Sequence, residues 1–382
     1  MELAEFEKYK DEVIKLRRDF HMHPELGFEE ERTSGIVREY LENLGIETRL
    51  MAKTGVAGDI NNGGDRRIAI RADMDALPIN EVNDVPYRSK IPGKMHACGH
   101  DAHTAMLLVT AKILSHMDFE GNVRFIFQPA EEGLNGARKM VEEGAIEGVD
   151  SIFGLHVWAN LPVGNIAISP GPVLANVDLF RVIVEGKGGH GASPHETVDP
   201  IVASAHIISS LQSIVSRNVD PRKSAVITVG KIKGGTAFNI IPETVEFEGT
   251  VRTFDEDIHN LIERRIKELI ENEAIALGAK ARIDYQHLNY ATVNDENLAR
   301  IGRKVAARIM NVVEQEPDMG GEDFSEYARI IPGLFAFLGA RNEEKGIIYP
   351  HHNPRFNIDE DSLIYGVAFE VNMALELLKD RS

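Results

Sequence analysis

The chain has 382 residues, too many for one compact core, so two domains are expected. It is 43% hydrophobic and 27% charged, ordinary for a globular chain, and no apolar run approaches the ~18 residues of a membrane span. With 42 Lys and Arg against 60 Asp and Glu, the formal net charge is −18, a field that repels phosphate backbones and argues against nucleic-acid binding, although a local Arg can still attract an anionic substrate.

The opening Met1-Glu2-Leu3-Ala4-Glu5-Phe6-Glu7 is acidic and amphipathic and lacks the basic region and apolar core of a secretory leader; a cytoplasmic protein is expected. Residues 1–20 and 29–44 carry helical apolar spacing, joined by the turn His21-Met22-His23-Pro24-Glu25-Leu26-Gly27. Ile68-Ala69-Ile70-Arg71-Ala72 reads as a buried strand that delivers Asp73 and Asp75 at its carboxyl end. A helix follows over 104–114, then strands over 123–128, stopped by Pro129, and 151–157. Strands alternating with helices predict an α/β sheet whose ligands collect at the carboxyl ends of the strands.

The pattern changes near residue 175. A strand over 180–185, a helix over 200–215, strands over 225–232 and 244–251, a helix over 258–277 and a strand over 281–287 give a β-α-β-β-α-β order, the ferredoxin-like signature. This domain is expected at 175–290, inserted into a larger one made of 1–174 and 291–382, whose sheet is completed after Asn294.

Met95-His96-Ala97-Cys98-Gly99-His100-Asp101 packs a thiol and two imidazoles into five residues, and Cys-x-His can direct both donors at one metal or a metal pair. Cys98 is the only cysteine, so no intrachain disulfide forms; a lone Cys is usually a small buried hydrophobe. His103 reads as a capping or supporting histidine rather than a ligand. Glu131-Glu132 follow a strand and Pro129, and adjacent residues there point in different directions, one able to hold metal and one to face a water. Glu142-Glu143 reads as a solvated acidic loop. His156 ends an apolar run, where a core histidine is the usual reading, and His351-His352 sit in a Pro-bounded loop. Thiolate, imidazole and carboxylate together suit zinc, or manganese, cobalt or nickel, and not calcium or magnesium.

These residues, taken in order, resemble the amidohydrolase branch of the aminoacylase and glutamate-carboxypeptidase metallohydrolases, which includes N-acyl-amino-acid amidohydrolases, hippurate hydrolases, plant auxin-conjugate hydrolases and archaeal carboxypeptidases. The resemblance is carried by Arg18 to Glu25, Arg71 to Pro78, the Cys98-His100 motif, Glu131-Glu132, Gly154-Leu155-His156, Gly234 to Asn239 and Gly320 to Phe324. It implies a zinc-peptidase-like catalytic domain with helices on a mixed sheet, plus an inserted ferredoxin-like lid and dimerisation domain. It implies two divalent ions per subunit held by Cys98, His100, Glu132, His156 and His352, the last chosen because it precedes Asn353-Pro354. Glu131 would be the general base. The wider family has a ligand in a His-x-Asp motif; Asp73 stands in that His position here, so its role is open, and Asp75 is expected to support a ligand from behind. His190 and Asn239 would assist at the developing oxyanion, and Arg252 would hold a substrate carboxylate, although as residues they equally read as a loop histidine, a turn former and a surface ion-pair partner. The implied reaction is hydrolysis of the amide of an N-acyl amino acid, with a carboxypeptidase or dipeptidase as the alternative. A small substrate and a homodimer, or higher homo-oligomer, are the expected partners.

Overall fold

The protein, seen here as a computed structural model, is described over residues 1–379. It divides into two compact units. The first comprises Met1–Val173, Thr292–Glu316 and the chain from Asp323 onward; the second comprises Leu174–Ala291 and Pro317–Glu322. Among the described residues no helix is long and apolar enough to cross a membrane.

The first unit is built on an eight-stranded mixed sheet, in the spatial order Glu47–Met51, Gly55–Asn61, Asn122–Gln128, Arg67–Asp73, Ser151–Pro162, Gly333–Arg341, Asn165–Ala167 and Asn311–Val313. The four middle strands pair in parallel, and antiparallel pairs flank them. Middle strands of this kind are covered on both faces and are apolar without alternation; Asn122–Gln128 is buried at every position. The glycines of Gly55–Asn61 show the two covering layers. A Cβ on Gly55 would meet Met140, and one on Gly58 would meet Leu41. Residues three apart on a strand face opposite ways, so the helices Gly136–Glu142 and Glu31–Asn43 lie on opposite faces.

Register across the middle strands aligns the chemistry. Asp73 pairs with Gln128, and Arg71 pairs with Gly154, which puts His156 level with Asp73. Three neighbouring strands thus bring Asp73, Gln128 and His156 to one height, and Glu131 and Glu132 follow directly on the second of them.

Helices Lys10–Met22, His100–Ser115 and Asp361–Lys379 pack on one another. Between the last two lies a buried acid: Thr110 Oγ1 donates to Glu370 Oε2 at 2.6 Å, and Glu370 is 1% exposed. Burial pushes its pKa up from 4.5 to about 8, against the pull of the Thr110 bond. An acid whose folded pKa is raised costs nothing below the unfolded pKa, where both states are protonated. Its cost grows as pH climbs from about 4.5 and levels off above about 8, at on the order of 5 kcal/mol. Glu370→Gln should therefore match the parent in melting temperature near pH 4.5 and exceed it by several degrees at pH 8; a gain independent of pH would show that the carboxyl is not the cause.

The chain departs from its sequence expectations in three places. The first nine residues form two 3-10 turns, Leu3–Glu5 and Glu7–Tyr9, before the helix begins at Lys10; the break seats Phe6 in the core. A hairpin, Glu47–Met51 with Gly55–Asn61, has no sequence signal because its turn lacks the usual Asn-Gly. Ala52 and Lys53 both adopt positive φ there, held by Ala52 N–H to Glu143 Oε2 at 2.7 Å and Lys53 Nζ to the Phe28 carbonyl at 2.6 Å. The segment Pro317–Glu322, assigned above to the larger domain, belongs with the second unit, where Ala175 N–H donates to the Gly320 carbonyl at 2.9 Å.

The second unit is an antiparallel four-stranded sheet in the spatial order Ala225–Gly234, Thr244–Thr253, Asn176–Glu185, Lys280–Asn289. Helices Pro200–Asn218 and Glu256–Ala276 cover one face, enclosing Phe180, Val182, Val184, Leu211 and Ile266. In chain order these six elements run β-α-β-β-α-β.

Candidate metal centre

Cys98 and His100 flank a glycine that no other residue could replace without strain. Gly99 has φ +95°, and a Cβ there would lie 2.3 Å from Val157 Cγ2. L side chains avoid this backbone region. The turn ends the loop at Cys98 and starts the helix at His100, four residues earlier than apolar spacing alone places it.

The Glu131-Glu132 pair is set by a second strained turn. Ala130 is left-handed at φ 56°. Its N–H donates to the buried Glu30 Oε1 at 2.9 Å, and its carbonyl accepts from Gly136 N–H at 3.0 Å. Gly136 is obligatory, since a Cβ would fall 1.7 Å from the Pro129 carbonyl oxygen. Beyond Ala130, the Glu131 and Glu132 N–H groups donate to the two oxygens of Asp75, at 3.0 and 2.9 Å. Asp75 Oδ1 also lies 3.3 Å from His100 Nδ1. One buried carboxylate therefore fixes both glutamates and turns His100 Nε2 away from itself.

Overlapping donor groups form around these residues, each with its ligand atoms within 4.8 Å of one another, among them Cys98, His100 and His156; Cys98, Glu132 and His352; His100, Glu131 and Glu132; and Asp73, His100 and His103. Cys98 Sγ is 3.5 Å from His156 Nε2, and His352 Nε2 is 3.3 Å from Glu132 Oε1. All five expected ligands and the expected base converge. The tandem histidines face different partners. His351 is half-buried and its Nε2 accepts from Ala159 N–H at 3.0 Å, whereas His352 turns at φ 62° toward Cys98 and Glu132, with its own N–H on the Ala97 carbonyl.

His103 has no nitrogen to spare: Nδ1 is 2.6 Å from Asp73 Oδ1 and Nε2 accepts from Val157 N–H at 2.8 Å. Asp73 also pairs with Arg71 Nη1 at 2.7 Å, and its Oδ2 stands 3.7 Å from His100 Nε2. Although burial works the other way, His100 and Arg71 hold Asp73 well below the usual carboxylate range. Sequence reasoning missed Glu30, whose part in holding Ala130 has no signal in its neighbours, and the buried Arg71–Asp323–Gln128 cluster beneath Asp73.

The electrostatics suit a cation. Burial pushes His156 well below the imidazole range, with His103 and His351 adding, so it offers a neutral lone pair. Burial and then Glu132 push the Cys98 thiol up. Hydrogen bonds with Cys98 and Glu132 push His352 up to about 10, so this pocket already favours positive charge. His100 Nε2 is buried without a hydrogen-bond partner, and Glu132 Oε1 is buried with His352 Nε2 3.3 Å away. A divalent ion would satisfy both, and thiolate with imidazole and carboxylate is a zinc-type donor set. The residues fit a metal.

His190, Asn239 and Arg252 belong to the second unit. The short ladder Gly189–His190 with Ile240–Ile241 brings the first two together, with Gly191 N–H on the Asn239 carbonyl at 2.8 Å. Both are exposed. Arg252, on Thr244–Thr253, is half-buried and its Nη1 donates to Thr250 Oγ1.

Known proteins are similar to this chain along nearly its whole length. The chain is 44% identical over 392 aligned residues to the IAA-amino acid hydrolase ILR1-like 2 of Arabidopsis thaliana, covering 100% of this chain and 89% of that protein. It is 42% identical to thermostable carboxypeptidase 2 of Saccharolobus solfataricus, covering 96% and 95%. The crystal structure of the Bacillus subtilis YXEP protein, a dinuclear metal-binding peptidase, superposes with TM-score 0.86 at 38% identity, covering 97% and 99%. The model of peptidase family M20/M25/M40 matches residues 69–376, and the chain belongs to that family.

Proposed function

We propose that the protein is a metal-dependent amidohydrolase that cleaves the amide bond of N-acyl amino acids. The observation that carries this reading is the convergence of Cys98, His100, Glu132, His156 and His352 around Glu131, with Asp75 bracing both glutamates. Cys98, His100, Glu132, His156 and His352 would hold two divalent ions, with zinc best suited to the donors and manganese, cobalt or nickel compatible. Ions so held supply Lewis acidity and lower the pKa of a water. The Glu131 carboxylate takes that water's proton and passes it to the leaving nitrogen, which departs as a neutral amine. His190 and Asn239 donate hydrogen bonds where negative charge grows on the carbonyl oxygen. Arg252 matches a substrate carboxylate with its planar fork. A second reading, carboxypeptidase or dipeptidase action, uses the same chemistry and is favoured by the likeness to a thermostable carboxypeptidase. A panel of N-acetyl, N-benzoyl and N-blocked dipeptide substrates, run after chelation and after readdition of each ion, decides both points. Chelation should abolish turnover and ion return restore it; full activity in protein shown by elemental analysis to be metal-free would refute the reading.

We infer in addition that the second unit is an inserted ferredoxin-like lid through which two copies pair in the cytoplasm, with His190 of one copy serving the centre of the other. Support comes from the exposure of His190 and the full exposure of Phe238, just before the strand Ile240–Ile241 that pairs with His190, and from the tendency of edge strands such as Ala225–Gly234 to pair. Inactive His190→Ala and Glu131→Gln proteins, refolded together, should recover roughly a quarter of parental activity, since about half the dimers are mixed and each has one intact site. Confirmed heterodimers with no recovery would place His190 elsewhere.

A further inference from the structure

The second unit contains a second convergence of metal-type donors, made entirely of its own residues. Asp178 on Asn176–Glu185 and His287 on Lys280–Asn289 are direct cross-strand partners, and the ladder shifts register just after His287. His259, in the first turns of helix Glu256–Ala276, completes the group. Asp178 is fully buried, His259 nearly so, and His287 about one-third exposed. One donor atom from each lies within 4.8 Å of the other two.

The bonding around the group has two layers. His259 Nε2 is 2.7 Å from Asp178 Oδ2, and His287 Nδ1 is 2.9 Å from Asp178 Oδ1. Behind them, Tyr285 Oη donates to Asp178 Oδ2 at 2.7 Å, and His287 Nε2 lies 3.3 Å from Glu263 Oε2. The other Glu263 oxygen is taken by Lys267 Nζ at 2.5 Å, so Glu263 serves as an outer partner and not as a further ligand. An imidazole whose remote nitrogen faces a carboxylate, beside a carboxylate that is itself hydrogen-bonded, is the support that metal-binding side chains need.

We propose that Asp178, His259 and His287 form a zinc site, separate from the centre at Cys98. Zinc takes imidazole nitrogen and carboxylate oxygen at about 2.0–2.2 Å, so tetrahedral ligand atoms sit roughly 3.4 Å apart. The two short bonds run to different oxygens of Asp178, so with one oxygen as ligand one edge is already shorter than that. The other two lie within 4.8 Å, and closing them takes a shift of up to about 1.4 Å between donor atoms, the imidazoles standing with ring centroids 4.9 Å apart at 81°. Two imidazoles and one carboxylate select zinc over calcium or magnesium. To bind zinc, each imidazole presents a lone pair at the nitrogen that now faces Asp178 and keeps one proton on its other ring nitrogen; in His287 that nitrogen is Nε2, where Glu263 accepts the hydrogen bond. The exposed side of His287 leaves the fourth position to water. Such an ion would tie the helix start to two adjacent strands, joining residues far apart in sequence. The competing account is a closed hydrogen-bond hub in which both imidazoles simply donate to Asp178.

Zinc content separates the two. Full-length protein is loaded with zinc, desalted and measured by elemental analysis. The His259→Gln/His287→Gln variant should hold one zinc per chain fewer than the parent, and the same deficit of one should appear when the pair is added to Cys98→Ala. Because the readout is a difference between matched proteins, it stands whether or not the Cys98 centre fills. If the double variant does not fold, as circular dichroism would show, His287→Gln alone decides, since that side chain is partly exposed and its loss leaves the buried pair in place. A folded variant with the parental zinc content overturns the site.

Discussion

Glu131→Gln should keep its metal and lose nearly all turnover. The substituted amide has almost the same shape, and its backbone N–H remains on Asp75, so the loop does not move. What is lost is the proposed proton acceptor for the water, and general-base catalysis contributes on the order of 10²–10⁴ in rate. KM should change little, because the substrate still meets the same groups. Glu132→Gln should fail differently. Glu132 lies in the donor group with Cys98 and His352, and exchanging its charge for an amide weakens ion binding directly. The checks are kcat at saturating ion together with metal content after desalting. Equal depletion of metal in both variants would dissolve the division of labour between neighbouring side chains.

Asp75→Ala should damage the centre without removing any donor from it. Two N–H groups lose their acceptor, and an unsatisfied buried donor costs roughly 1–3 kcal/mol. His100 also loses the carboxylate beside Nδ1 that sets its ring. Losing such an outer partner typically costs about 10–100-fold in metal affinity or activity. Competition against a chromophoric chelator measures the affinity, and turnover at excess ion measures the rest. Asp75→Asn, which retains an acceptor oxygen, should fall between. If Asp75→Ala binds its ions as the parent does and turns over normally, the two glutamates are held by something other than this carboxylate.

Much of the donor set was legible because it is local. Cys98 and His100 are two residues apart, Glu131 and Glu132 are adjacent, and each pair abuts a predicted element. The α/β pattern of the larger sheet and the β-α-β-β-α-β order were legible for the same reason, as apolar periods carry them. What escaped is non-local. Glu30 and Ala130 are 100 residues apart, and nothing near either announces the bond between them. The hairpin over 47–61 escaped because its turn runs on Ala52 and Lys53 at positive φ, a conformation paid for by contacts with Glu143 and Phe28 that lie outside the local sequence. The start of the helix at His100 escaped because a left-handed Gly99, not an apolar period, fixes it. The segment 317–322 joins the second unit through a backbone bond to Ala175 that no composition shift marks.

The common height of Asp73, Gln128 and His156 across three hydrogen-bonded strands has a thermodynamic consequence. Small zinc modules that assemble their ligands only on binding spend much of the ion's affinity on ordering the chain, and they melt when it is withdrawn. Here the ladder of the large sheet does that ordering in advance, and the Asp75 carboxylate extends it to the loop that follows. Ion binding should therefore be only weakly coupled to folding. The affinity of the centre should then reflect its donors and the residues that brace them, with little of it spent on ordering the chain.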